Sequence, residues 1–129
     1  MKKRMRGERG ASAVEFAFIV PLLIVLVLGI AEFGRGFQVQ GTISAAAREG
    51  VRAMALQNDA VAARSVVKNA ASSLKPGLTD TQIKVTTCPS TGIGSTYVRV
   101  TIKYPMPFLT KFFGSGVDLT GTGVMRCYG

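Results

Sequence analysis

One acid has an unusual position. Glu15 follows Ala11-Ser12-Ala13-Val14 and precedes Phe16 to Ala31, a run of 16 residues without a charge. As a helix that run covers ~24 Å, short of a bilayer core of roughly 30 Å. Including Ala11 to Val14 lengthens it to 21 residues but places Glu15 inside the apolar segment. An ionisable group there costs at least ~2.5 kcal/mol and is usually functional, with a partner. The other reactive groups are few. Cys88 and Cys127 are the two cysteines, and histidine is absent. The commonest general base is therefore missing, and no Ser or Thr has an evident activating partner. Glu15 and Glu32 are 17 positions apart, about 25 Å along a helix, too far to act as a carboxylate pair. Gly92-Ile93-Gly94 and Gly114-Ser115-Gly116 fit no phosphate-loop pattern and read as turns. Two cysteines without histidine do not make a zinc site. The expectations are no catalytic residues, no cofactor, no metal and no small-molecule substrate.

The basic charge is unevenly placed. Of a net +9, residues 1 to 10 hold Lys2, Lys3, Arg4, Arg6 and Arg9 against Glu8. Nucleic-acid binding needs a basic face, ideally with aromatics interleaved. Here the densest cluster abuts an apolar span, so it reads as a cytoplasmic anchor, with no nucleic-acid partner. A secretory signal peptide has a similar start. The apolar run is longer than such peptides use, and Glu32-Phe33-Gly34-Arg35-Gly36-Phe37 offers no clean cleavage site after it. A retained anchor fits better.

Gly10-Ala11-Ser12-Ala13-Val14-Glu15-Phe16 resembles the processing site of type IV prepilins, in which a short basic leader ends in glycine and the mature chain carries Glu at its fifth position. The longer stretch Gly7 to Arg52 resembles TadE-like proteins, the minor pseudopilins of tight-adherence (Flp) pilus systems. The matching pieces are Arg9-Gly10-Ala11, Ala13-Val14-Glu15-Phe16, Pro21-Leu22-Leu23, Gly29-Ile30, Glu32-Phe33-Gly34-Arg35 and Ala46-Ala47-Arg48-Glu49-Gly50-Val51-Arg52. The resemblance covers about a third of the chain. It implies cleavage between Gly10 and Ala11 by a prepilin peptidase and an assembly role for Glu15 and Phe16. Glu15 would neutralise the amine of a neighbouring subunit. It also implies a bacterial inner-membrane protein, single-pass, with other pilin or pseudopilin subunits as partners. The alternative is a signal-anchored periplasmic binding module unconnected to pili. It would keep its leader and need no Glu15.

The elements follow from periodicity and breakers. Residues 1–10 are expected as a flexible basic leader, 11–34 as a transmembrane helix and 35–129 as an extracytoplasmic pilin-like domain. Pro21 predicts a kink near Phe16 to Pro21. Gly29, Gly34, Gly36 and Gly41 either allow close helix approach or loosen the helix at the membrane exit. The helix continues to Leu56, with Phe33, Phe37, Ile43, Ala47, Val51, Met54 and Ala55 as its apolar stripe. Asn58-Asp59 stops it. Asp59 caps a second helix, Ala60 to Leu74, with Val61, Ser65, Val66 and Ala70 inward, and Pro76-Gly77 ends it.

Gln82 to Cys88 reads as a strand with Ile83 and Val85 on one face, and Pro89 to Ser95 as a Ser/Thr/Gly loop. Tyr97 to Tyr104 alternates cleanly, with Val98, Val100, Ile102 and Tyr104 inward. Pro105 to Phe113 is a hydrophobic crossover or a short helical turn, and Val117 to Arg126 a third strand weakened by Gly121 and Gly123. The fold class is α+β: a long N-terminal transmembrane helix leading into a domain with a second helix and a small antiparallel three-stranded sheet. A meander puts Cys88 and Cys127 at one end of that sheet. An even cysteine count in an extracytoplasmic domain suggests a disulfide. Two free buried thiols are the alternative, favoured if the domain were cytosolic.

Overall fold

A computed structural model of the chain describes residues 4–89 and 97–127. The protein is α+β, with two helices and one open antiparallel sheet. Helix α1 spans Arg4–Gln57 and α2 spans Ala60–Ala70. The strands are β1, Ile83–Val85; β2, Tyr97–Pro107; and β3, Gly116–Arg126, in the order β1-β2-β3. The chain divides into two compact units, 1–35 and 36–129.

The first unit is helical from Arg4 onward. Arg4 to Gly10, expected as a flexible leader, forms the opening turns of α1. No proline or β-branched residue interrupts it before Val14, and Arg, Met, Glu and Ala are good helix formers. Pro21 lies within α1 without ending it. The side chains from Val14 to Ile30 are mostly exposed. This helix is long and apolar enough to cross a membrane, by length and composition.

The second unit is two layers, helices on one face of the sheet. Strand β2 presents Val98, Val100, Ile102, Tyr104 and Met106 to the helices, all buried, while Tyr97, Arg99 and Lys103 face outward. The cross-strand rows are Ile83–Ile102–Gly121 and Val85–Val100–Gly123. Each row is bulky at β1 and β2 and empty at β3, and α1 occupies the gap. A Cβ on Gly121 would come within 2.8 Å of the Ile43 carbonyl oxygen, and one on Gly123 within 2.6 Å of that of Ala47. The two glycines expected to weaken β3 therefore let helix backbone lie directly on the sheet. The Gln40 amide donates to the Thr120 carbonyl at 2.8 Å beside them.

The buried stripe of α1 is Val39, Ile43, Ala46, Ala47, Val51, Met54 and Ala55. Phe33 and Phe37, assigned to that stripe by spacing, are exposed instead. Small side chains take their place because the packing brings backbone close. The same cause shifts the phase of α2. Its buried edge is Ala63 and Val67, continued by Ala71 and Leu74, whereas Val61 is exposed. Gly50 of α1 lies against Val67 so closely that a Cβ there would collide with the valine. Glycine on α1 leaves the room that Val67 fills.

Breakers act as expected at the helix junction. Asn58 adopts φ 50, the left-handed conformation that asparagine tolerates after a helix, and its N–H donates to the Met54 carbonyl at 2.8 Å. The Asp59 carboxylate accepts from the N–H groups of Val61 and Ala62, capping α2. Helix α2 ends at Ala70, short of Leu74, and Leu74 is buried in the turn that follows. Strand β1 is shorter than the expected Gln82 to Cys88: the 3-10 turn Asp80–Gln82 takes its first residue, and the strand ends at Val85, before Cys88. Strand β2 runs on through Pro107, so Pro105 and Pro107 belong to the ladder rather than to a crossover. From Ser90 on, the loop read over Pro89 to Ser95 lies outside the described residues.

Candidate functional site

Gly10, Ala11, Glu15 and Phe16 all sit on α1 in the first unit, and each is exposed. No neighbouring group lies within 4 Å of where a Cβ on Gly10 would stand. Ala11 and Glu15 are one turn apart, about 6 Å along the axis, on the same helix face. Side chains in a helix lean toward its N-terminus, so the Glu15 carboxylate leans toward the turn that holds Ala11. Phe16, at the adjacent position, is 67% exposed. These four positions share one short, open segment rather than a pocket.

Among the described residues, no group of three or more His, Cys, Asp or Glu side chains could hold a metal ion. Glu32 is the buried charged side chain among them. A shallow groove beside the loop end of the β2–β3 hairpin is lined by Pro76, Pro105, Met106, Pro107, Ser115, Gly116, Val117 and Asp118. Its one carboxylate is that of Asp118 and its one hydroxyl that of Ser115.

Cys88 and Cys127 are joined by a disulfide, with Cα atoms 5.8 Å apart. Strands β1 and β3 flank β2, so each cysteine must lean over the end of the central strand to meet the other. The Cys88 N–H donates to the Asn58 side-chain oxygen at 3.0 Å. The residue that turns the chain out of α1 thus also holds one end of the bridge. Spacing alone does not reveal this bond, since 30 residues separate its partners.

The downstream motif residues turn out to be packing residues. Ala46, Ala47, Gly50 and Val51 are buried against α2 and the sheet, while Arg48, Glu49 and Arg52 between them are exposed. A motif that reads as a functional signature from its order is here the seam on which the second unit is built.

Residues 10–52 match the family model described as TadE-like protein. No curated protein and no solved structure matches the chain. The match starts at the glycine before Ala11, runs through Glu15 and the apolar helix, and stops at the end of the buried Ala46–Val51 seam. The segment from Gly10 to Arg52 is TadE-like.

Proposed function

We propose that this protein is a minor pseudopilin that takes part in assembling a tight-adherence (Flp-type) pilus. The TadE-like segment supports a place in such a system. The observation that carries the finer reading is the order of parts at its start: a basic stretch just before it, then Gly10, a small-residue start at Ala11, Glu15-Phe16 and an exposed apolar helix. A prepilin peptidase cuts between Gly10 and Ala11 and creates an ammonium at Ala11. A carboxylate near a free ammonium at a helix N-terminus is favoured by Coulomb attraction and by the helix dipole. In hydrocarbon that attraction is screened little, so Glu15 of one subunit can neutralise the amine of the next and set register. Phe16 beside it supplies apolar contact. Residues 11–34 anchor the protein in the bacterial inner membrane, and 35–129 form the extracytoplasmic domain.

N-terminal sequencing of the protein recovered from membranes tests this. The expected first residue is Ala11, and Gly10→Val should block processing through bulk at the scissile bond. A chain that still starts at Met1, or one that starts beyond Ala31, overturns the reading. The first result is what a signal-anchored binding module unconnected to pili would give.

A further inference from the structure

The β2–β3 hairpin ends in an exposed apolar tip. Leu109 is 65% exposed, Phe112 73% and Phe113 47%, with Lys111 among them. From Phe108 to Val117 the loop carries that one charge and no acid. It is also well formed. Pro107 and Gly116 are the last paired residues, the Phe108 N–H donates to the Ser115 carbonyl at 3.1 Å, and Lys111–Phe113 makes a 3-10 turn. Gly114, at φ 112, turns the chain back in a conformation that a side chain would resist. An ordered loop that displays two phenylalanines and a leucine to solvent calls for an occupant.

Its place in the domain indicates which one. Strand β3 runs in the same direction as α1, with Gln40 at Thr120, Ile43 at Gly121 and Ala47 at Gly123. Following β3 back toward its start therefore leads toward the beginning of the domain's helix. There the Met106 methyl lies 3.7 Å from where a Cβ on Gly36 would stand. Met106 pairs with Val117, one rung from the loop. The tip thus lies at the Gly36 end of the domain, and Gly36 follows Arg35, where the chain leaves the apolar segment. Strand β1 pairs with β2 only as far as Ile102, so beyond it the hairpin continues as a two-stranded ribbon.

We infer that Leu109, Phe112 and Phe113 seat in the headgroup region of the bilayer that α1 spans, with Lys111 among the phosphates. The inference rests on reading α1 as a membrane anchor. Phenylalanine and leucine beside lysine is the composition of segments that lie in a membrane interface. A narrow projecting tip has little flanking surface to exclude water in a protein contact, whereas lipid closes around a projection.

The chain has no tryptophan, so single substitutions report cleanly. The full-length protein is reconstituted into phosphatidylcholine–phosphatidylglycerol vesicles with brominated acyl chains, carrying Phe112→Trp, Phe18→Trp or Leu56→Trp. Leu56 is exposed and stands 20 positions beyond Gly36, about 30 Å along the helix. Phe18→Trp should be strongly quenched. Phe112→Trp should be quenched about twofold more than Leu56→Trp, since interfacial side chains sit roughly 5–10 Å into the headgroup–acyl boundary. Leu109→Trp should repeat the result and serves if Phe112→Trp does not fold. If Phe18→Trp is quenched while Phe112→Trp behaves like Leu56→Trp, the tip inference is overturned and the anchor stands. If Phe18→Trp itself is not quenched, the anchor reading fails first and takes the inference with it. Protection of the Phe112→Trp probe from both bromolipid and aqueous iodide would mean that a second protein surface covers the tip, which also overturns it.

Discussion

Glu15 is exposed on its own helix, so its cost or benefit is decided by what surrounds the helix. Alone in hydrocarbon it is a liability, and beside an ammonium it is a partner. Glu15→Ala should therefore improve insertion by ~2 kcal/mol or more on the translocon scale. Cleavage at Gly10 should persist, while co-purification with other pilus subunits after mild crosslinking should be lost. Glu15→Gln should behave alike, because it keeps the size and drops the charge. Normal association in both variants would remove Glu15 from assembly. Asp80 shows a surface version of the same chemistry. The Lys68 ammonium, 2.7 Å away, holds the Asp80 carboxyl below its ordinary value near 3.8, first by a hydrogen bond and then by Coulomb attraction. A carboxyl with a lowered folded-state pKa stabilises above its unfolded value and loses that contribution as pH falls through the folded one. Thermal melts should therefore show this pair's contribution unchanged between pH 7 and pH 5, and a small loss below about pH 4 that Asp80→Asn abolishes. An Asp80→Asn acid limb identical to that of the native chain would show that the pair contributes nothing.

At the scale of elements, the helix and the sheet meet through absent side chains. Gly123→Leu should destabilise the domain by about 3 kcal/mol or more, because the new side chain collides with the Ala47 carbonyl rather than with a side chain that can rotate away. Denaturant melts of the detergent-solubilised protein measure this, and a loss under 1 kcal/mol would mean that the helix shifts readily, since overpacking ordinarily costs about 1–3 kcal/mol. The disulfide adds a covalent constraint across a separation of 39 residues. Replacing both cysteines by serine should cost about 4 kcal/mol on the loop-entropy model. Unaltered stability, or two alkylatable thiols in the native protein, would contradict the bond. Much of this layout was legible beforehand. Alternation marked β2, and Asn58-Asp59 marked the helix junction, because both are local signals. The faces of α1 and α2 were harder to read. Apolar size points to Phe33, Phe37, Val61 and Val66, whereas the packing selects Ala46, Gly50 and Ala63, whose merit is smallness toward a partner distant in sequence. A glycine in a strand looks like weakness until the helix above it is known. At the candidate site the order of Gly10, Ala11, Glu15 and Phe16 was fully visible, since it lies within one short segment. The Asn58–Cys88 contact was not, since it depends on the finished fold.

The whole molecule is an apolar helical unit joined to an α+β unit, with charge concentrated before the apolar stretch. Five Lys and Arg residues precede it, and Arg35, Arg48 and Arg52 are spread more thinly after it. From the positive-inside rule we propose that the N-terminal side faces the cytoplasm and that Phe37 to Gly129 faces the periplasm. A reporter fused after residue 129 should be active only in its periplasm-dependent form, and a cytoplasmic signal there would invert the assignment. A different consequence follows from the glycines of β3. Two strand residues advance about 6.6 Å and four helix residues about 6.0 Å. Gly121 and Gly123 therefore meet Ile43 and Ala47 as two matched teeth, with Leu119 and Met125 as the next same-face neighbours on the strand. Sliding the sheet along the helix by one step in either direction would drive one of those larger side chains into helix backbone. Tension drawn along α1 thus reaches the sheet as shear against a mechanical stop. In single-molecule pulling along the helix, the domain should yield in one abrupt rupture rather than by gradual slippage.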